Sequence, residues 1–254
     1  MLDQTFHTPL PLELEVAIPS GDIELETADG EETRVVVDGD QRLLEEVEIR
    51  QDGNRISIEY RGKGKFGFSV SPFTLVFGAN GLKVRATVPH GAGLKVKTAS
   101  ADTRITGRSG PLEINAVSGD VRLRGSVDGD AAVKTVSGDA EIDAVGGSIT
   151  VQTVSGDARI GAVGGEVNAK SVSGDIRFDA VSEGDVRFSS VSGDVEIGIA
   201  PGSLVDVDAG STSGDLSSEV PLGSEPVGGD ASDGPTVVVR GRTISGDVRV
   251  FRAA

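Results

Sequence analysis

Val154-Ser155-Gly156-Asp157-Ala158-Arg159-Ile160-Gly161-Ala162 is the phrase whose reading decides the fold. Its first four residues recur as Val117-Ser118-Gly119-Asp120, Val136-Ser137-Gly138-Asp139, Val172-Ser173-Gly174-Asp175 and Val191-Ser192-Gly193-Asp194, with serines 19, 18, 18 and 19 residues apart. A period this short, built from valine, isoleucine and glycine, marks the stacked coils of a solenoid. A weaker echo such as Val145-Gly146-Gly147-Ser148 falls midway and divides the period into units of nine or ten residues. Each unit supplies a short extended stretch and a turn, so two units make one coil. The expectation is an all-β, single-chain β-solenoid (β-helix), with about 18-19 residues and two short strands per coil.

Alternation along each unit assigns the faces. Val121, Ala140, Ala158, Ile176 and Val195 form one inward column, and Leu123, Ile142, Ile160, Phe178 and Ile197 the next. Opposite them stand Ala131, Ile149, Val167 and Val186, then Val133, Val151, Ala169 and Phe188. The small residues that follow, Ala144, Thr153, Ala162, Ser171 and Ala180, are expected where the tube narrows. The outward column Arg122, Glu141, Arg159, Arg177, Glu196 mixes signs and reads as a solvated face.

In the turn, glycine is expected to supply a positive φ, while serine and aspartate bond back to nearby turn amides. Stacking then files Asp120, Asp139, Asp157, Asp175 and Asp194 one coil apart. Such a file must be hydrated, capped by amides or balanced by cations. These five aspartates are the candidate metal positions.

Outward from the repeat, residues 9–95 read as degenerate strands. Leu12 to Ile18 alternates, Pro19-Ser20-Gly21-Asp22 turns, and Ile23 to Glu26 alternates again. Gln41 to Glu46 is a short helix-like patch, and Asp52-Gly53-Asn54 marks a hairpin. Ser100-Ala101-Asp102 occupies the turn slot 18 residues before Ser118, so regular repeats run over 96–200. Residues 201–254 are less regular rungs: 221–235 reads as a mobile loop, and the strand after Ser245-Gly246-Asp247 closes the structure. Phe66, Phe68, Phe73 and Phe77 crowd a glycine-rich insertion at 62–81, expected to cap the solenoid or to offer an interaction surface.

The remaining composition excludes more than it assigns. The 254 residues carry a net charge of −16 and no basic stripe, which argues against nucleic acid. No run approaches the ~18 apolar residues of a membrane span, so no insertion is expected. The opening Met1-Leu2-Asp3-Gln4-Thr5-Phe6 has neither a basic nor an apolar signal region, so the expected location is cytoplasmic. Cysteine is absent, which removes disulfides and thiolate metal sites. His7 and His90 lie in separate segments and read as turn or surface residues. There is no phosphate-binding loop and no nucleophile elbow, and no cofactor is expected. Val145-Gly146-Gly147-Ser148-Ile149 has the glycine pair of the calcium-binding nonapeptide without its following ligands.

Val-Ser-Gly-Asp followed by an alternating strand, with Val88-Pro89-His90-Gly91 upstream, resembles the bacterial putative-adhesin family, a β-strand-repeat family of unknown function. The likeness runs from Leu12 to Phe251. It implies a β-solenoid in a bacterial envelope-stress or regulatory context and brings no set of functional residues. The reading is therefore a non-catalytic structural or interaction scaffold, whose partner is another protein or a second copy. The alternatives are a calcium-binding repeat protein and a carbohydrate-binding or carbohydrate-active β-helix.

Overall fold

The computed structural model describes residues 1–62, 81–219 and 234–253. The phenylalanine cluster, Phe66, Phe68, Phe73 and Phe77, and all but the last two residues of the 221–235 loop lie outside the described residues.

The chain begins with β1 (Leu2–His7), β2 (Glu13–Ala28) and β3 (Glu32–Asp38), then a single helical turn α1 (Gln41–Leu44). A hairpin follows, β4 (Val47–Asp52) and β5 (Arg55–Tyr60), then β6 (Leu82–Pro89) and the long β7 (Gly93–Ser109). From there strands come in pairs: β8 (Leu112–Asn115) and β9 (Val121–Val127), β10 (Ala131–Lys134) and β11 (Ala140–Val145), β12 (Ile149–Gln152) and β13 (Ala158–Val163). β14 (Val167–Lys170) and β15 (Ile176–Val181) and then β16 (Gly184–Ser189) and β17 (Val195–Ile199) continue the series. β18 (Leu204–Ser211), β19 (Leu216–Ser218), β20 (Thr236–Thr243) and β21 (Val248–Arg252) complete it.

Each pair is one coil, and coils stack in parallel, the register shifting by one residue within the β9–β11 and β15–β17 pairings. Ala140 aligns with Ala158, and Ala158 with Ile176; Ile149 aligns with Val167, and Val167 with Val186. The four inward columns expected from alternation are buried at every position. The third position of the column differs. Ala144 and Ala180 are half-buried and Ala162 is exposed, while Val127, Val145, Val163, Val181 and Ile199 point inward instead. Two consecutive outward residues, such as Asp143 and Ala144, shift the phase as the strand rounds the corner. Strict period-two counting fails across such an irregularity because it rotates every later side chain to the other face.

The earliest coils hold together differently. β2 runs unbroken through Pro19-Ser20-Gly21-Asp22, and β7 through Ser100-Ala101-Asp102, with Asp22 aligned on Asp102. The expected turn is therefore a corner within a continuous strand, and in β2 Gly21 takes it at a φ of +126°. The first half of β2 pairs with β5 on one side and β7 on the other; its second half pairs with β6 and β7. The first long strand of the sequence is thus the second coil of the stack.

The far end mirrors this arrangement. β20 and β21 lie between the β16–β17 coil and the β18–β19 coil. The final Ser245-Gly246-Asp247 strand consequently does not close the stack; Leu204 to Ser218 is the outer coil. Val237, Val239, Val248 and Val250 are fully buried, whereas Leu204 and Leu216 are 39% and 42% exposed. Inserting the more apolar coil into the stack gives it a hydrogen-bonding partner on both edges. At the other end, antiparallel strands seal the edge: β4 covers β5, β3 covers β6, and β1 covers β3.

Glu15 clasps this first region. It is 8% exposed and receives Lys97 Nζ at 2.8 Å and Arg55 Nη2 at 2.5 Å. Burial pushes its carboxyl upward, but the hydrogen bonds and charges of Lys97 and Arg55 outweigh that and hold it below its ordinary value. A carboxyl depressed in the folded state contributes stability above its unfolded pKa and loses it as pH falls through the folded one. Thermal melts should therefore show a melting temperature that drops below the lower end of the carboxylate range. Glu15→Gln should melt lower than the wild type at pH 7 and show a shallower acid limb.

Candidate functional site

The repeated corner is where residues of one type gather most densely, and each has a distinct task. Thr135, Thr153, Ser171 and Ser190 point inward at 3–6% exposure, three residues before the turn glycine. The Thr153 hydroxyl donates to Gly156 C=O at 2.7 Å and accepts from Gly156 N–H at 3.0 Å. Thr135 with Gly138 and Ser190 with Gly193 repeat the pair of bonds, and Ser171 donates to Gly174 C=O. This hydroxyl latch satisfies both backbone groups of a glycine whose position is buried. The sequence signal is a Thr or Ser three places before the glycine in every phrase but the first, where Ala116 stands, and a search for the four-residue phrase alone passes over it.

The glycines of the five Val-Ser-Gly-Asp phrases do not take a positive φ; among the described residues the positive-φ glycines are Gly21, in the degenerate Pro19-Ser20-Gly21-Asp22 corner, and Gly30, Gly53, Gly91, Gly107, Gly125, Gly184 and Gly202. What requires glycine is closeness to the preceding coil. A Cβ on Gly156 would stand 2.1 Å from Gly138 O, and one on Gly174 would stand 2.0 Å from Gly156 O.

Serine and aspartate also bond between coils rather than within the turn. Ser155 donates its N–H to Val136 C=O at 2.8 Å and its hydroxyl to the same oxygen at 3.2 Å. Asp157 N–H donates to Asp139 Oδ1 at 2.9 Å, and Asp175 N–H to Asp157 Oδ1 at 2.9 Å. The same bond joins Asp120 to Asp102, Asp139 to Asp120, Asp194 to Asp175, Asp247 to Asp194 and Asp215 to Asp247. The ladder contains the five aspartates picked from the sequence and extends them by Asp102, Asp247 and Asp215, in stack order rather than chain order.

Neighbouring carboxylates ~4.8 Å apart repel by about 1 kcal/mol at the dielectric of water. A charge-assisted amide bond of about 1.5–3 kcal/mol, reduced by exposure, offsets this. Among the described residues no three acidic or histidine groups converge to hold a metal ion. Asp157→Asn should keep the acceptor for Asp175 and leave stability within about 0.5 kcal/mol, while Asp157→Ala should cost about 1 kcal/mol in urea denaturation. Equal losses for both would mean that the charge itself, and a cation with it, matters.

A second candidate is an open cleft of about 620 Å³ at the sealed end, lined by Thr5, His7, Asp29, Glu31, Arg34 and Thr87. The fold brings the two histidines to the turn between β2 and β3: His7 Nε2 lies 3.8 Å from Glu31, and His90 Nε2 lies 3.7 Å from Asp29. Thr27 Oγ1 accepts from Arg108 N–H at 2.7 Å and is hydrogen-bonded to His90 Nδ1, also at 2.7 Å. His7, Asp29 and Glu31 are largely solvent-exposed. The cleft is open, and the hydroxyl that meets His90 belongs to Thr27, a buried residue.

The outward charge column is a network. Arg124 holds Glu141 at 3.0 Å and Asp143 at 3.1 Å. Asp179 sits between Arg159 and Arg177, which would otherwise repel on adjacent coils. Burial raises the Asp179 carboxyl, but the two arginines outweigh that and lower it overall.

Uninterrupted parallel coils, latched by hydroxyls and tied by an aspartate ladder, define a β-solenoid repeat protein. The sequence matches the family described as Toastrack DUF4097 over residues 12–251, and the chain belongs to that family. A comparison with curated proteins finds no match. Among solved structures, a putative lipid binding protein from Parabacteroides distasonis ATCC 8503 is 18% identical with a TM-score of 0.58, over 98% of this chain and 96% of the other. A putative adhesin from Bacteroides fragilis NCTC 9343 is 13% identical with a TM-score of 0.53, over the same shares. At these identities the likeness shows the fold alone.

Proposed function

We propose that this chain is a non-catalytic scaffold that presents regularly spaced files of side chains to a partner. One observation carries the reading: the polar groups of the repeated corner are spent on bonds to the turn or to the next coil, and the same bonds recur coil after coil. Catalysis needs a local departure from the pattern, with converging groups of unlike chemistry. The corner instead repeats one arrangement along the solenoid.

The setting we propose is the bacterial envelope-stress or regulatory one implied by the resemblance of the Val-Ser-Gly-Asp repeats; a structural relative named a putative adhesin is itself bacterial. The test is incubation with a panel of polysaccharides and glycosides, read by reducing-end release. No turnover is expected. Turnover that disappears in His90→Ala or Asp157→Ala would overturn the scaffold reading. Growth of a deletion strain under cell-wall stress tests the setting, with a stress-specific defect expected.

A further inference from the structure

The valine of each Val-Ser-Gly-Asp phrase does not enter the core. Val136, Val154, Val172 and Val191 are 43–45% exposed and Ile244 is 55% exposed. Stacked on half-buried Val117, they form one line in the order Val117, Val136, Val154, Val172, Val191, Ile244. Of nine exposed large apolar residues among those described, five lie in this line. Scattered exposed apolar residues are ordinary, whereas a contiguous file marks an interaction surface.

The file has two unlike flanks. Two residues before it stand the exposed cations Lys134, Lys170 and Arg242, on every second coil, and none has an ion-pair partner among the described residues. Three residues after it runs the aspartate ladder, in which Asp139, Asp157, Asp175, Asp194 and Asp247 have no ion-pair partner among the described residues. In a chain with 40 acidic and 24 basic residues, three unpaired cations beside an apolar file are placed against the prevailing charge balance.

The geometry points to a second copy of this chain as the occupant, docked valine file to valine file in a parallel dimer. The two-fold axis runs along the solenoid. A rotation about that axis exchanges the flanks, so the Lys134–Lys170–Arg242 file of each copy faces the aspartate ladder of the other. An antiparallel copy would put cations on cations and aspartates on aspartates. The parallel arrangement also keeps the ~4.8 Å repeat of both copies in step, so side chains of equal spacing meet along the whole seam.

Six rungs span about 24 Å at that repeat. A seam of this length, a few residues wide, buries less than the ~1,200–2,000 Å² of stable complexes, so micromolar association is expected. Flank pairing should make it weaken as salt rises. The proposal names the partner of the scaffold read above and fails separately from it, since a monomer would leave the absence of turnover untouched.

Sedimentation velocity on the full chain from 1 to 200 μM should show a species of twice 26.0 kDa, dissociating as salt is raised. Val154→Glu/Val172→Glu should be monomeric with an unchanged melting temperature, and Lys134→Glu/Lys170→Glu should raise the dissociation constant at least about tenfold. Because the chain has no cysteine, single Val136→Cys and Val191→Cys variants report the orientation. Under mild oxidation each should cross-link with its own kind. A monomer throughout the range, a dimer indifferent to these substitutions, or cross-links that form only when the two cysteine variants are mixed would each overturn the proposal.

Discussion

Gly156→Ala is expected to lower stability by about 3–4 kcal/mol. The added Cβ would lie 2.1 Å from Gly138 O, an atom of the backbone rather than the flexible end of a side chain. Relief requires the coils to separate. Separation would stretch the Ser155 N–H to Val136 C=O bond and the Asp157 N–H to Asp139 bond on either side of it. In a solenoid each coil rests only on its neighbours, so a local gap is not compensated elsewhere. Gly210→Ala is the control: its φ is not in the left-handed region and a Cβ there meets nothing within 4 Å. Urea denaturation of both variants measures the difference; Gly210→Ala should fall within about 0.5 kcal/mol of the wild type. If Gly156→Ala matched Gly210→Ala, the close approach of the coils would be wrong.

Thr153→Val should cost about 2–3 kcal/mol, because it keeps the shape and removes the hydroxyl. Gly156 N–H and Gly156 C=O would both lose their bonds to Thr153 Oγ1 in a position that water does not reach. Leaving a buried donor or acceptor unmade costs more than the bond contributes when formed. Thr153→Ser retains the hydroxyl and reproduces Ser171 and Ser190, so it should lose less than about 1 kcal/mol. A Thr153→Val variant as stable as Thr153→Ser would show that the latch is incidental. Hydrogen exchange at the Gly156 amide offers a local reading of the same bond, with faster exchange expected in Thr153→Val.

Much of the architecture is legible along one dimension. The spacing of the Val-Ser-Gly-Asp phrases sets the coil length, and alternation places Ile142, Ile160, Phe178 and Ile197 in the core. Both properties are local, since a strand alternates and a repeat recurs whatever the rest of the chain does. The hairpin around Gly53 and the short helical turn at Gln41–Leu44 are local in the same way.

The candidate site was legible in its residues but not in its bonds. Asp120, Asp139, Asp157, Asp175 and Asp194 stand in a file as their spacing implies, yet each bonds across 18 or 19 residues to the next coil. A turn read by itself suggests a bond within the turn; stacking supplies a better-placed amide from the neighbouring coil. The same stacking explains the glycines, required by closeness between coils rather than by left-handed backbone. It also makes the valines a surface file.

What the sequence by itself determined is the repeating coil: its length, its two strands and most of its inward columns. Only the tertiary structure decided the order of coils at the two ends. β2 inserts between the β5–β6 coil and β7, and β20–β21 insert beneath β18–β19. Equal coils carry equivalent edges, so the strand pattern alone does not say which edge a coil will take. The choice follows from burial, because the coil with Val237, Val239, Val248 and Val250 excludes more apolar surface when covered on both sides than Leu204–Ser218 would.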